Sequence, residues 1–325
     1  MTERETFTVR HCSLFFIALV CSLPLSAQVA QRKVSGGILP LAPSPRKPVE
    51  SQSPAATTGF GTMDFPSAPA SGAYGINDHG QIVGAYGPDL GPDIGDAGFA
   101  LSKGSFKSIR FPGATRTQCA GINNSGDIVG IYEDSSGNVH AYKFVKGIYT
   151  NIDFPGSTYS QGGSINDSGE IVGTYYDNQN NHFGFTLIGN TYTSFHVPDA
   201  TYTFALGVNN SGDIAGFYVD TASIYHGFTL SNGTFTTVDY PGAPWSGLWD
   251  IDDAGVVVGA YGDGEIPYTF EHGFASRDGE FLNIDVPFVG AAATWVTHIN
   301  KSGQIVGVYI DSAQRFYGFT ARVSQ

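Results

Sequence analysis

One phrase of twelve residues is repeated six times along this chain of 325 residues. It reads GINDHGQIVGAY at its first occurrence, residues 75–86, and GINNSGDIVGIY at its second, residues 121–132. The six copies share one polar anchor position, repeated every 43 to 48 residues: Asn77, Asn123, Asn166, Asn209, Asp252 and Asn300. A period of this length indicates units that bury their apolar faces only by stacking on one another.

Each unit predicts four short strands, which we call a to d. In the second unit they are expected at about residues 119–123, 127–133, 139–144 and 148–154. Gly126 supplies the left-handed residue that the turn between strands a and b requires. Gly130 lies in the middle of strand b, where a missing side chain indicates a bulge or the close approach of another backbone.

The number of strands predicts how the units are joined. The repeats begin with a lone strand d at about residues 60–65 and end after a strand c at about residues 317–323. Six complete units therefore form only if the first strand joins the last three. We predict an all-β fold, a six-bladed β-propeller of four-stranded blades, closed by pairing of the N-terminal strand with the C-terminal blade. An open array of units would leave unpaired edges at both ends. A linear β-solenoid is the alternative, but its coils are normally shorter than these units.

Composition and charge exclude several classes of protein. The chain has 43 glycines, 13% aromatic residues and only 14% charged residues, which excludes a coiled coil or a helical bundle. Its formal net charge of -13 disfavours binding to nucleic acid or to an anionic membrane surface. We expect a monomer with neither of these partners.

The N-terminal segment predicts export. An apolar run from Cys12 to Leu25 follows two basic residues, which is typical of a signal peptide covering residues 1–27. Residues 28–57 are rich in Pro and Ser and predict a disordered linker, and residues 58–325 form the six-repeat propeller. Cleavage would leave Cys119 as the sole cysteine, so no intrachain disulfide is expected. The predicted location is extracellular or periplasmic.

The repeat resembles that of the extracellular HAF-family repeat proteins, which are named for a His-Ala-Phe element. The nearest match is at residues 140–142 (His-Ala-Tyr), with His-Gly-Phe variants at residues 226–228 and 272–274. Three units depart from the pattern, with Ala97, Phe183 and Tyr317 at the histidine position. The resemblance covers about residues 60–323 and implies bacterial export, but it implies no particular reaction.

Two recurring polar patterns each have a functional and a structural interpretation. The Asn-x-x-Gly turns resemble calcium loops but offer too few carboxylates, so we interpret the asparagine as a cap of its own turn. An aspartate precedes the strand that carries each histidine, as Asp134 precedes His140. A catalytic pair is conceivable, but a contact copied into several blades indicates a structural role. We interpret Asp252-Asp253 as a variant of the turn, and we predict no metal, no cofactor and no catalytic residue.

Positions that break the repeat are the candidates for a site. The connections from strand d to strand a vary most, and they contain all three tryptophans. Aromatic faces with a few hydrogen-bonding groups suit a sugar ring. The predicted ligand-binding residues, gathered by the loops of one face, are Tyr159, Tyr202, Trp245, Trp249, Asp250, Trp295 and His298.

These observations favour a secreted, non-catalytic binding module for a glycan or an extracellular protein. The alternatives are a structural or cell-surface repeat protein and a glycan-cleaving enzyme that uses Asp250 and His298. Binding predicts that Trp245 and Trp295 are exposed, whereas the structural alternative predicts buried tryptophans and no deep pocket. Catalysis additionally predicts an acid and a base at one cavity.

Overall fold

A computed structural model describes residues 57–88, 95–264 and 271–324. These residues form six four-stranded antiparallel sheets arranged in a ring, so the chain is all-β and a six-bladed β-propeller, as predicted. The predicted signal peptide and nearly all of the predicted linker lie outside the described residues. The described part has no helix of the length and apolarity needed to cross a membrane.

Strands a and b form the inner half of each blade. In blades 1 to 6, strand a is β2 (Ala70–Ile76), β6 (Arg116–Ile122), β10 (Tyr159–Ile165), β14 (Tyr202–Val208), β18 (Trp245–Ile251) and β22 (Ala291–Ile299). Strand b is β3 (Ile82–Gly87), β7 (Ile128–Glu133), β11 (Ile171–Tyr176), β15 (Ile214–Val219), β19 (Val257–Gly262) and β23 (Gln304–Asp311). Each strand a contacts the strand a of both neighbouring blades, so the six surround the propeller axis.

Strands c and d form the outer half. Strand c is β4 (Ala97–Ser102), β8 (Val139–Val145), β12 (His182–Ile188), β16 (Tyr225–Ser231), β20 (His272–Arg277) and β24 (Phe316–Val323). Strand d of blades 1 to 5 is β5 (Ser105–Ile109), β9 (Ile148–Asn151), β13 (Thr191–Phe195), β17 (Thr234–Thr237) and β21 (Glu280–Ile284).

The ring closes through blade 6. Its strand d is β1 (Thr57–Met63), which pairs antiparallel with β24 so that Thr57 faces Val323 and Met63 faces Gly318. The strand order in this blade is β1-β24-β23-β22. The predicted closure by the N-terminal strand is therefore confirmed, and the linear solenoid is wrong.

A bulge in strand a explains the glycine in the middle of strand b. In blade 2 the register shifts between Cys119 and Gly121, and this bulge moves the preceding carbonyl toward β7. A Cβ atom on Gly130 would lie 2.0 Å from the Gln118 carbonyl oxygen. The other five blades repeat both the bulge and the contact. The predicted close approach of a backbone is thus confirmed.

The connection from strand d to strand a crosses to the next blade. Strand d of blade 2 ends at Asn151 rather than near residue 154, because Phe154 leaves the sheet and stacks on Tyr175 of blade 3 at 3.8 Å. The same stacking occurs at three other junctions, at 3.6 to 3.7 Å. The buried Ser160 hydroxyl fixes this crossing by accepting a hydrogen bond from the Phe154 backbone N–H. At four of the six junctions, the aromatic residue before the proline therefore fastens one blade to the next.

The close approach at Gly130 gives a test of the fold. We expect Gly130→Ala to lower the free energy of unfolding by about 3 kcal/mol or more, since a backbone oxygen occupies the place of the added methyl group. Gly61→Ala is the control, because its Cβ would meet Thr320 Oγ1 at 3.4 Å. The control should cost under about 1 kcal/mol in denaturant unfolding. Equal losses for the two variants would contradict this account.

Candidate functional site

The turns between strands a and b gather at one end of the axis, which we call the turn face. Each anchor residue caps its own turn there: Asn123 Oδ1 accepts hydrogen bonds from the backbone N–H groups of Ser125 and Asp127. Gly126, with φ 80°, closes the turn. The expected capping role of the asparagine is confirmed.

The same asparagines also join the blades, which the sequence analysis did not foresee. Asn77 Nδ2 donates to the carbonyl oxygen of the next anchor, Asn123, at 2.9 Å. Four further junctions repeat this bond at 3.0 to 3.1 Å. The junction of blades 5 and 6 differs because its anchor, Asp252, has no side-chain N–H group with which to reach Asn300. We call these bonds between neighbouring anchors the amide belt. The belt consists of five bonds around the axis and lacks the sixth, between Asp252 and Asn300.

A second ring of polar side chains surrounds a cavity of about 70 Å³ on the turn face, which we call the axial mouth. The ring consists of Asp78, Asn124, Asp167, Asn210, Asp253 and Lys301. Its members pair with one another, since Asn124 Nδ2 donates to both Asp78 and Asp167, at 2.8 and 2.7 Å. Burial alone would raise the pKa of Asp78, but hydrogen bonds from Asn124 and Lys301 leave that pKa below its ordinary value.

Asp250 and His298 lie deeper in the axial mouth. Both are buried, and Asp250 Oδ2 lies 3.0 Å from the Ile299 backbone nitrogen and 3.4 Å from His298 Nδ1. Burial raises the pKa of Asp250 well above its ordinary value and lowers the pKa of His298 to about 4. The pair meets the geometric condition set above for an acid and a base at one cavity. The enzymatic alternative nevertheless stays a prediction.

The three tryptophans are buried. Trp245, Trp249 and Trp295 are exposed to 8%, 4% and 6%, and they belong to one apolar cluster around the axis. The expectation that Trp245 and Trp295 are exposed is therefore wrong. The opposite end of strand a, where the d-to-a connections arrive, we call the connection face. Near this face the axis is filled by side chains.

The side chains that fill the axis come from the same two positions of strand a in every blade. In blade 1, Gly72 leaves room for the Tyr74 ring, whose hydroxyl lies 2.6 Å from where a Cβ of Gly72 would be. In blade 5, Gly247 leaves the same room for Trp249. Each blade places at least one large buried side chain at the axis from one of these two positions: Tyr74, Gln118, Gln161, Phe204, Trp249 and Trp295. Blade 4 adds a second, Leu206. Packing at the axis thus accounts for two of the tryptophans.

The two predicted tyrosines belong to a different structure on the connection half. Tyr159 stacks on Tyr176 at 4.4 Å, Tyr176 stacks on His182 at 3.6 Å, and His182 stacks on Tyr202 at 4.3 Å. We call these four rings, which run from blade 3 to blade 4, the ring ladder. Tyr176 and Tyr202 are partly exposed, whereas Tyr159 and His182 are buried. Burial lowers the pKa of His182 to about 4, against the opposing charge of Asp177.

The structure therefore divides the predicted site residues between the two faces. Asp250 lies near the turn-face end of β18 and Trp245 at its other end, about 17 Å away for five residues of a strand. Tyr159 and Tyr202 belong to the ring ladder, Asp250 and His298 line the axial mouth, and the three tryptophans form one apolar cluster that Tyr202 also contacts. The expectation that one face gathers all seven residues is wrong. Sequence reasoning missed Tyr176 and His182. Whether any of these residues binds a ligand stays a prediction.

The repeated aspartate and histidine meet in three blades. His140 lies between Asp153, 2.7 Å from its Nδ1, and Asp134, 3.5 Å from its Nε2. His226 and His272 are flanked by two aspartates in the same way. Asp134 also accepts hydrogen bonds from two backbone N–H groups of its own turn, which agrees with a structural role. Within the described ranges, no three His, Cys, Asp or Glu side chains are grouped so as to hold a metal ion.

The comparisons with known proteins concern the fold. The sequence matches no family model and no curated relative. The SapL1 lectin, solved with α-methyl fucoside, has a TM-score of 0.52 at 9% identity, covering 79% of this chain and 96% of that one. AofleA from Arthrobotrys oligospora has a TM-score of 0.48 at 11% identity, covering 85% and 89%. The Aleuria aurantia lectin, described as a six-bladed β-propeller, has 0.47 at 9%, covering 82% and 97%. This chain thus shares its fold with the SapL1 lectin.

The break in the amide belt predicts a stabilising substitution. We expect Asp252→Asn to raise the free energy of unfolding at neutral pH by about 1 kcal/mol, because the introduced side-chain amide can donate to the Asn300 carbonyl oxygen. Burial raises the pKa of Asp252, so the wild-type side chain destabilises the folded protein most when it is ionised. The advantage of the variant should therefore shrink as the pH falls through the raised pKa and the wild-type group takes up a proton.

The matched control for this substitution is Asn209→Asp. It removes an existing bond to the Asp252 carbonyl oxygen, 3.1 Å long, and places a second carboxylate beside Asp213. It should destabilise the protein by about 1 to 3 kcal/mol in denaturant unfolding at neutral pH. A loss of stability for Asp252→Asn would contradict the belt as described.

The burial of the tryptophans predicts their fluorescence. We expect the emission of the native protein to be blue-shifted and resistant to quenching by iodide, because none of the three indoles is exposed above 8%. Unfolding in guanidinium should move the emission to the red and restore quenching, which serves as the internal control. Red-shifted, iodide-sensitive emission from the native protein would show that the indoles are exposed in solution.

Proposed function

We propose that this protein is an exported, non-catalytic binding module whose ligand is a glycan, held on the connection face at the ring ladder. The observation that carries the proposal is the pair of partly exposed rings, Tyr176 and Tyr202, within a stack of four. Aromatic faces pack against the C–H faces of a sugar ring, and phenol hydroxyls bond its hydroxyls. The signal-peptide pattern and the HAF-type repeat favour an extracellular or periplasmic location.

A structural role is the second candidate. The buried tryptophans are the outcome that the structural alternative predicts, and the amide belt and the closed ring supply a stable body with no disulfide among the described residues. Under this alternative the ring ladder only packs blade 3 against blade 4. An extracellular protein in place of the glycan remains the other ligand to be tested.

The test is a titration of the mature protein with soluble neutral polysaccharides, followed by calorimetry. We expect saturable binding that Tyr202→Ala weakens about tenfold or more, because the variant removes one face of the ring ladder. Tyr192→Ala, on the outermost strand of blade 3, is the control and should leave the affinity unchanged.

Two outcomes would contradict the proposal. Absence of binding to every saccharide would remove the glycan as ligand and favour the structural candidate. Binding that Tyr202→Ala does not change would place the ligand elsewhere, and the axial mouth would then be the next surface to examine.

A further inference from the structure

Four buried nitrogen atoms on the connection half have no hydrogen-bond partner among the described residues. They are Gln118 Nε2, Gln161 Nε2, and Nδ1 and Nε2 of His182. These three side chains, which we call the nitrogen cluster, are exposed to only 2%, 1% and 6%. Buried polar atoms in folded proteins are nearly always paired, so an unpaired group of this size requires an explanation.

Two of the three residues are neighbours at the axis, and the third lies on strand c of blade 3. Gln118 and Gln161 hold the same position on β6 and β10, and these neighbouring strands contact each other. Phe204 holds that position on β14, and the His182 ring lies edge-on to it at 5.3 Å. His182 also belongs to the ring ladder. The nitrogen cluster therefore adjoins the proposed glycan site.

The fold itself does not require polar side chains at these positions. Where blades 2 and 3 have glutamine, blades 1 and 5 have glycine and blades 4 and 6 have Phe204 and Trp295. Where blade 3 has His182, at the start of strand c, blades 2, 4 and 6 have Val139, Tyr225 and Phe316, whereas blades 1 and 5 have Asp96 and Glu271 just before strand c. At the glutamine position, polar side chains occur in blades 2 and 3 alone. At the histidine position, three other blades fold without a charged or imidazole group.

The unpaired atoms define the chemistry of a missing partner. A glutamine Nε2 only donates hydrogen bonds, whereas a neutral imidazole has one nitrogen that donates and one that accepts. With a pKa of about 4, His182 is neutral at neutral pH. A partner for the whole cluster must therefore both accept and donate. A hydroxyl group does both, a carboxylate only accepts, and an ammonium group only donates.

We propose that the nitrogen cluster is the hydroxyl-binding part of the glycan site and that it selects neutral saccharides over uronic acids. This inference rests on the proposed function. The sugar ring lies against the ring ladder while one or two of its hydroxyls reach Gln118, Gln161 and His182. The partly exposed Tyr202 ring stacks on the buried imidazole, so a change in the Tyr202 side-chain rotamer would uncover His182. The negative charge of the protein disfavours a uronate further.

The test separates binding from structure by using apolar side chains of similar size. Gln118→Met and Gln161→Met remove the unpaired amides and keep the volume, and His182→Phe keeps the ring stack. Gln179→Met, in an exposed turn of blade 3, is the matched control. The thermal midpoint is measured without ligand. Affinity is measured for the methyl glycosides of glucose and galactose and for glucuronic and galacturonic acid.

We expect the three cluster variants to have an unchanged or higher thermal midpoint, because each replaces an unpaired polar group by an apolar one. We also expect each to bind the neutral glycosides at least about tenfold more weakly, while Gln179→Met changes neither quantity. A purely structural glutamine would give the opposite pattern, a lower midpoint with the affinity unchanged. That pattern would mean that the cluster holds bound water only, and it would overturn the inference.

The remaining outcomes distinguish this inference from the function on which it rests. Binding that depends on Tyr202 but not on Gln118 or Gln161 would overturn the role of the cluster and leave the glycan site standing. Uronic acids that bind as tightly as the neutral glycosides would overturn the selectivity. If the wild-type protein binds none of the saccharides, both proposals fail.

Discussion

Six innermost strands meet at one axis, and the short distance between their backbones limits which side chains can lie there. A Cβ on Gly121 would approach Ser164 Cα to 2.8 Å, and one on Gly207 would approach Asp250 Cα to 2.5 Å. Closer to the connection face the axis is wider, but it accepts about one large side chain from each blade. Trp249 is the large side chain of blade 5 at the axis and Trp295 is that of blade 6, and the two hold different positions on their strands. The central packing, the axial mouth and the ring ladder all follow from that limit.

The same constraint explains which parts of the structure the sequence predicts. The periphery of each blade repeats because every blade meets the same surroundings, so the turn at Asn123, the glycine at 130 and the closure by β1 could be predicted from the pattern. Six identical large side chains would not fit around one axis, so the repeat has to break there for reasons of packing alone. The tryptophans break the repeat in this way. Their irregularity indicates the centre of the ring rather than an exposed ligand surface.

The remaining errors have a similar physical origin. The belt between anchors depends on a contact 43 residues away in sequence, from Asn166 to Asn209, which no local pattern predicts. Phe154 ends its strand early because the neighbouring blade offers it Tyr175. The HAF pattern does not include His182, because His182 lies in strand c one position before the HAF-type histidine. A comparison of every strand position across the six units would have found it.

The two ends of the axis differ in how completely their polar groups are paired. At the axial mouth, Asn124 and Lys301 bond the neighbouring aspartates, so that the polar side chains of adjacent blades hold one another. On the connection half, Gln118, Gln161 and His182 bring donors and an acceptor into an apolar core and leave them unpaired. The first arrangement stabilises the ring. The second costs free energy of folding for as long as no bound group pairs with these atoms.

The closure through blade 6 also determines when the fold can be completed. β1 is the first of the described strands to be made and its partner β24 is the last, so β1 stays without its neighbour until β24 has been synthesised. Blades 1 to 5 each consist of one continuous stretch of chain and can assemble in order, whereas blade 6 cannot. The ring therefore closes only after the last of its strands has been made, whichever blades have formed before that.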